Sequence, residues 1–150
     1  FASFCLHYAQ DVNILHNMCR LLYSHLKPGG IFLAFNENPM YPVHSGIIHG
    51  IAVEAEGEIV DGVKIVRTHY HEMGKEICSF YHYHYEPETY RYSLSKAGFS
   101  AIEWLPFVVD TNMCFDHYDK GMTLFARNEF SISVLQATRR DDLVEKVALA

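Results

Sequence analysis

The sequence has 150 residues, of which 49% are hydrophobic and 20% charged, and its formal net charge is −6. This composition predicts one globular domain, or part of one, with enough apolar residues for a core. The negative charge gives no general attraction to nucleic acid or to an anionic membrane, and no apolar run is long enough to span a bilayer, so neither is expected as a partner.

The first residues and the cysteines bear on the compartment in which the protein works. The sequence begins with Phe1 rather than Met and lacks the basic start of a signal peptide, so we expect part of a longer, cytoplasmic protein. The cysteines form no C-x-x-C pair, which predicts reduced thiols rather than a disulfide framework. They are Cys5, Cys19, Cys78 and Cys114.

Residues 1–35 predict a strand, a helix and a second strand. Residues 1–6 form a short apolar run typical of the end of a buried strand. Asp11 suits the N-cap of the helix that follows, and Lys27-Pro28-Gly29-Gly30 would end it. Apolar residues recur on one face of this helix: Leu15, Met18, Cys19, Leu22 and Leu26. A strand–helix–strand unit implies two parallel strands.

The second strand leads to the first candidate site. Residues 31–35 are continuously apolar, which predicts a strand covered on both faces. Asn36, Glu37 and Asn38 follow at its carboxyl end, where open α/β sheets bind their ligands. These three side chains are candidates for binding an amine, hydroxyl or carboxyl group of a substrate. The alternative is a polar turn before Pro39.

Residues 40–85 predict an insertion followed by a hairpin. Residues 40–62 are rich in glycine and acidic side chains, which predicts a surface insertion or mobile flap. Residues 63–85 predict two antiparallel strands joined by a two-residue turn at Gly74 and Lys75. One face would carry Arg67, His69, His71, Cys78, Phe80, His82 and His84, and the other Val66, Tyr70, Ile77, Tyr81, Tyr83 and Tyr85.

The last part of the chain predicts a helix, two strands and a tail. Glu86-Pro87-Glu88 suits the start of a helix, which Gly98 would end. Residues 99–109 and 121–127 predict two antiparallel strands, and residues 138–150 predict a terminal helix.

Six segments, taken together, match the pattern of a known family. They are F-C-L-H-Y-A (4–9), L-K-P-G-G (26–30), N-E-N-P (36–39), Y-E-P-E-T-Y (85–90), A-G-F (97–99) and T-L-F-A-R (123–127). With them the chain resembles the class I S-adenosylmethionine-dependent methyltransferases. The resemblance implies an α/β, Rossmann-like methyltransferase fold, of which this chain would be the carboxyl-terminal half, strands four to seven, plus a β-hairpin insertion. The last strand would lie antiparallel between the fifth and the sixth.

The resemblance also implies a division of the chain. Residues 1–39 would be a strand–helix–strand core, and residues 40–85 the insertion and hairpin lid. Residues 86–128 would supply a helix and the terminal strand pair, and residues 129–150 a tail. The family's glycine-rich loop and ribose-binding acidic residue would precede residue 1. The amino-terminal half of the same domain would therefore be a partner, and these 150 residues alone are expected to bind cofactor weakly and to be inactive.

S-adenosylmethionine is the cofactor that the resemblance implies. Ser3, Phe4, Leu6 and His7 would lie beside its methionine portion and its sulfonium, a cation that aromatic rings attract. For Phe4 and Leu6, packing in the core is the alternative. His7 and Tyr8 are the catalytic candidates, since they are polar groups at a strand's carboxyl end. His7 could orient the acceptor or accept its proton, although methyl transfer also proceeds by alignment alone.

The hairpin is the second candidate for acceptor binding. Tyr81, Tyr83 and Tyr85, or their His neighbours, would line a lid over the acceptor. The alternative is that these tyrosines pack against the helix that begins at Pro87. The His and Cys face also suits zinc in its ligand types, but no compact ligand pair is present, so no metal is expected.

The expected function is methyl transfer to a small-molecule acceptor, as part of a longer enzyme. Two alternatives remain: a non-catalytic binding or regulatory module on a methyltransferase scaffold, and a metal-binding protein that uses the hairpin face.

Overall fold

The computed structural model describes residues 1–40, 46–47, 50–71, 74–105 and 132–140. Within these ranges there are two helices and seven strands, and the strands form two separate sheets. The helices are α1 (Val12–His25) and α2 (Pro87–Ala97). The strands are β1 (Ala2–Ser3), β2 (Ile31–Glu37), β3 (Ile51–Ala55), β4 (Lys64–Tyr70), β5 (Glu76–Tyr83), β6 (Phe99–Leu105) and β7 (Ile132–Arg139), and a short 3-10 turn spans Leu6–Tyr8. Neither helix is long and apolar enough to cross a membrane.

The large sheet has the strand order β1-β2-β7-β6. β1 and β2 are parallel, as the strand–helix–strand prediction requires, and β7 runs antiparallel to both of its neighbours. The strand β7 therefore lies between β2 and β6, which correspond to the fifth and sixth strands of the predicted fold. Its position in the chain was predicted wrongly, because β7 is Ile132–Arg139 and Thr138 and Arg139 belong to a strand rather than a helix. Residues 121–127 and 141–150 lie outside the described residues.

Helix α1 is held at both ends by specific hydrogen bonds. Asp11 caps its start, as predicted, by accepting a bond from the backbone N–H of Ile14 at 2.9 Å. At the other end, the Arg139 guanidinium donates to the carbonyl oxygens of Tyr23 and Leu26 and lies 4.6 Å from the centre of the Tyr23 ring. Helix carbonyls at this end lack the N–H groups of a following turn, so a strand distant in sequence completes the helix end.

The core lies on one face of the large sheet. Phe32 and Ala34 of β2 are 2% exposed and pack under both helices, whereas Ile31 and Leu33, on the other face, are 57% and 36% exposed. The prediction that both faces of this strand are covered is wrong for the described part of the chain, because α1 and α2 bury the same face. Other core side chains include Leu15, Cys19, Tyr90, Leu94, Leu135 and Ala137.

The small sheet has the strand order β3-β4-β5, antiparallel throughout. Residues 51–55, predicted as part of a flap, form a strand of this sheet. The hairpin is confirmed, but its turn is not: Arg67 lies opposite Phe80, whereas a two-residue turn at Gly74 and Lys75 would place it opposite His82. The shift is by two residues, and side chains alternate with period two, so the predicted faces are kept.

An aspartate ties the small sheet to α2. Asp61, between β3 and β4, accepts hydrogen bonds from the Glu86 backbone N–H at 2.6 Å and from the Thr89 hydroxyl at 2.5 Å. It therefore caps the start of α2 from outside the helix, where Pro87 occupies the first turn as predicted. Gly98, in the left-handed conformation, ends α2 as predicted. Cys5, Cys19 and Cys78 are free thiols.

Gly30→Val is expected to destabilise the fold by more than about 2 kcal/mol. A Cβ atom at Gly30 would lie 2.7 Å from the carbonyl oxygen of Lys27, which accepts the Gly30 N–H at 2.8 Å and so cannot move freely. Thermal denaturation of the variant measures the effect. Ile31→Val, at an exposed neighbour, serves as the control, and an unchanged melting temperature for Gly30→Val would contradict the role assigned to this turn.

Candidate functional site

A small open cleft lies where the carboxyl end of β2 meets the small sheet. Its volume is about 40 Å³, and its walls come from β2, from all three strands of the small sheet and from the start of α2. The residues that line it include Glu37, Asn38, Arg67, His82, Tyr83 and Tyr85. The cleft lies at the edge of the sheet where open α/β folds bind ligands.

A buried hydrogen bond joins the ends of the two parallel strands. His7 Nδ1 lies 2.8 Å from Asn36 Oδ1, and both residues are almost completely buried. Because an amide oxygen only accepts, His7 carries its proton on Nδ1 and its lone pair on Nε2. Burial lowers the pKa of His7, although the Asn36 bond opposes this, so the ring is neutral near pH 7. The Asn36 and Tyr90 side chains are also hydrogen-bonded to each other.

A strained residue turns the chain toward His7. Phe4 follows β1 with a φ of 51°, in the left-handed region, and its N–H donates to the Phe35 carbonyl at 2.8 Å. This conformation costs a non-glycine residue roughly 1 kcal/mol. It ends the strand and leads into the turn at Leu6–Tyr8, which directs the His7 ring into the protein.

His82 of β5 connects His7 to the cleft. Its ring centre is 5.2 Å from that of His7 in an edge-to-face arrangement, and the residue is 5% exposed. Burial lowers the pKa of His82 to about 3, with further lowering from the positive charges of its neighbours, Arg67 among them. His82 is therefore a neutral ring that can form hydrogen bonds but is a weak base.

An ion pair joins the two sheets across the cleft. Arg67 of β4 donates to Glu37 Oε2 of β2 at 2.7 Å, and the two side chains are 11% and 16% exposed. Burial raises the pKa of Glu37, and the Arg67 charge acts in the opposite direction. We take the carboxylate to be ionised near pH 7, because its partner is within hydrogen-bond distance.

The architecture is shared with a group of solved enzyme structures. An S-adenosylmethionine-dependent methyltransferase from Clostridium acetobutylicum aligns with a TM-score of 0.53 and 13% identity over 93% of this chain and 56% of that one. One from Mesorhizobium loti gives 0.52 and 24% over 91% and 59%, and the CcbJ methyltransferase from Streptomyces caelestis gives 0.52 and 16% over 93% and 59%. This chain has a methyltransferase fold.

Two further comparisons give the extent of this likeness. Neither a protein-family model nor a curated protein sequence matches the chain. The chain spans 56% to 59% of the length of the three solved methyltransferases. The likeness establishes the methyltransferase fold of this chain.

The cofactor candidates predicted from sequence divide into an exposed and a buried pair. Ser3 and Phe4 are exposed at the end of β1, and Phe4 retains 37% of its accessible surface. Leu6 is completely buried in the core, as the packing alternative had it, and His7 is buried behind His82. Of the two catalytic candidates, Tyr8 is 46% exposed, with its ring 4.7 Å from that of His7. Neither His7 nor Tyr8 lines the cleft of this methyltransferase fold.

The three hairpin tyrosines have different surroundings. Tyr81 is 46% exposed and lies under the Lys64 ammonium, away from the cleft, whereas Tyr83 lines the cleft. Tyr85 lies beyond β5, in the core: its hydroxyl donates to the Ala9 carbonyl at 2.7 Å and its ring meets that of Tyr90 in α2. Tyr85 therefore packs against α2, as the alternative predicted, and also lines the cleft, and burial raises its pKa to about 12.

Glu37 and Asn38 line the cleft, as expected for substrate-binding candidates, but Asn36 does not. Asn36 instead forms hydrogen bonds with the buried side chains of His7 and Tyr90. Arg67 and Tyr90 are site residues that sequence analysis missed. His82 was included only among the histidine neighbours of the tyrosines. The alternation of His and Tyr along β5 was the available signal, but it does not show which face meets β2.

Metal binding finds no support in the described ranges. There, no group of three or more His, Cys, Asp or Glu side chains is arranged to hold a metal ion. On the hairpin face, Cys78 is exposed and the His69 ring stacks on Phe80 at 5.5 Å.

Glu37→Gln is expected to cost more stability than Glu56→Gln, although both carboxylates form ion pairs of 2.7 Å. The Glu37 pair is largely buried, so its loss leaves Arg67 uncompensated and costs at least about 2 kcal/mol. The Glu56–Lys64 pair is 53% and 33% exposed, and solvent screening makes its loss much smaller than that of the Glu37 pair. Urea denaturation measures both, and equal losses would show that burial of the Glu37 pair is unimportant.

Stability is expected to fall as the pH is lowered from 6.5 toward 5. His7 and His82 have lowered pKa values in the folded state, so below pH 6.5 the unfolded chain binds protons that the folded chain does not. Each such proton contributes about 1.4 kcal/mol per pH unit once the unfolded histidine is largely charged. His82→Asn should reduce this slope by about one proton. Denaturation at several pH values tests this, and identical slopes for parent and His82→Asn would refute it.

Proposed function

We propose that the protein containing this chain transfers a methyl group from S-adenosylmethionine to a small-molecule acceptor. The observation that carries the proposal is the cleft at the carboxyl end of β2 in a methyltransferase fold, with the small sheet forming its opposite wall. This is the position in which an acceptor would meet a ligand bound at the sheet edge.

The residues at the end of β1 fit part of the cofactor. Ser3 is exposed there with its hydroxyl, and the exposed Phe4 ring offers the aromatic surface that suits a positively charged sulfur. S-adenosylmethionine, when bound, supplies an electrophilic methyl group on that sulfur. As a further part of the proposal, the remaining cofactor contacts come from an amino-terminal half of the same domain, in keeping with the greater length of the similar structures.

The acceptor side of the proposal rests on the cleft residues. Glu37 and Asn38 offer polar groups for the acceptor, and Tyr83 offers a flat wall. Glu37, whose pKa is raised by burial, is the cleft group suited to accept a proton from the acceptor. His7 acts as a positioning residue, since it contacts the cleft through His82. These cleft groups would fix the orientation of the acceptor, which is the main requirement for methyl transfer by proximity.

The experiment is a methyl-transfer assay with the full-length protein. Incubation with isotopically labelled S-adenosylmethionine and a metabolite extract, followed by mass spectrometry, should show label in a small molecule. No labelled product, together with retained ligand binding, would favour the alternative of a non-catalytic binding module. Absence of both would remove the proposal.

Tyr83→Ala should raise the acceptor's KM or lower kcat in that assay and leave cofactor affinity nearly unchanged. Tyr83 lines the cleft, whereas Tyr81, 6.0 Å away on the same face, is exposed outside it. Tyr81→Ala is therefore the matched control and should behave like the parent. The melting temperature of each variant separates recognition from packing: a loss of stability with unaltered acceptor kinetics would assign Tyr83 to packing alone.

A further inference from the structure

Two buried nitrogen atoms of cleft-lining residues have no hydrogen-bond partner among the described residues. They are Nε of Arg67 and Nδ1 of His82. The two residues come from paired strands, in which Arg67 lies opposite Phe80 and His82 opposite Ile65, so they are diagonal neighbours on one face of the small sheet. Native proteins leave few buried polar atoms without partners, so two at the same cleft require an explanation.

The chemistry of the two nitrogens defines what would satisfy them. Arg67 Nε–H can only donate, because a guanidinium carries no acceptor. His82 is neutral, so its Nδ1 donates or accepts according to the tautomer. A carbonyl oxygen can accept from both atoms, and a hydroxyl can accept from Arg67 while donating to His82. Both ligand types place one oxygen between the two side chains.

The charge balance of the cleft favours a neutral ligand. The Arg67 charge is already compensated by Glu37 at 2.7 Å, and His82 adds none. A ligand carboxylate would be attracted to Arg67 but repelled by Glu37 beside it, so its charge brings no net gain. A neutral oxygen group loses less hydration on entering and still forms both hydrogen bonds.

The size of the cleft limits how much of the ligand enters. A volume of about 40 Å³ admits one small polar group rather than a ring. The rest of the ligand would lie at the mouth, where Tyr83 provides an apolar wall.

We propose that Arg67 and His82 form a subsite for a single hydroxyl or carbonyl oxygen of a neutral, ring-bearing ligand. Given the proposed function, this ligand is the methyl acceptor, and the subsite holds an oxygen that orients it rather than the atom that is methylated. With a pKa of about 3, His82 is too weak a base to remove a proton from that group.

The test uses four ring fragments of similar size: benzyl alcohol, benzamide, benzoate and toluene. Binding is followed by NMR on this chain, through the Arg67 Nε–H signal and the His82 ring signals. Benzyl alcohol and benzamide should shift both sets of signals and saturate. Benzoate should bind more weakly than benzamide, and toluene should leave the Arg67 Nε–H signal unchanged.

Arg67→Lys is the decisive variant, because lysine keeps the charge opposite Glu37 and removes the Nε–H. It should weaken benzamide binding about three- to tenfold, the loss expected for one hydrogen bond. Arg20→Lys, at an exposed arginine of α1, is the matched control and should not change it. If Arg67→Lys melts well below the parent, His82→Phe replaces it as a variant of similar shape and should give a comparable loss.

The possible outcomes separate this inference from the proposed function. Equal binding of all four fragments, or no effect of either variant, would overturn the subsite. So would signals that respond to no fragment, which would assign the two nitrogens to ordered water. Methyl transfer by the full-length protein is measured independently, so fragment binding without methylation would reject only the proposed function, and methylation without fragment binding would reject only the subsite.

Discussion

The candidate site depends on one buried hydrogen bond, between His7 and Asn36. Both side chains are almost completely buried, so each would lose about 1–3 kcal/mol of solvation without a partner. The bond is possible only because β1 and β2 are parallel and neighbouring, which brings their carboxyl ends together. Through Asn36 it reaches Tyr90 of α2, and through the His7 ring it reaches His82 of the small sheet. Strand pairing in the large sheet thus positions side chains from the Leu6–Tyr8 turn, β2, α2 and β5 relative to one another.

The small sheet is held at the site by polar contacts at two places. Arg67 pairs with Glu37 at the end of β2, and Asp61 caps α2 by bonding Glu86 and Thr89. Between these contacts, Tyr85 enters the core and donates to the Ala9 carbonyl. Directional polar bonds therefore fix the position of the small sheet against the large one. Because the cleft lies between the two sheets, these bonds also fix the positions of its walls. The histidines enclosed at this junction are neutral because burial disfavours their charged form.

Much of the fold could be predicted because its signals are local. The Asp11 cap, the apolar face of α1, the Pro87 and Gly98 limits of α2 and the parallel pairing of β1 with β2 all follow from short-range pattern. Three errors have long-range causes. The hairpin register depends on how β4 pairs with β3 as well as with β5, and the exposure of Ile31 depends on which face both helices cover. The choice of β7 depends on pairing with strands about 35 and 100 residues earlier.

For the site, the sequence by itself determined which strand ends carry polar groups, because a parallel strand–helix–strand unit brings both carboxyl ends to one edge. It therefore indicated His7, Glu37 and Asn38 and the hairpin as the opposite wall. Only the tertiary structure decided that Leu6 and Tyr85 are core, that Asn36 supports His7 and that Arg67 and His82 face the cleft. The physical reason is that alternation along a strand defines two faces but not which one is buried. That choice is made by packing against elements distant in the chain.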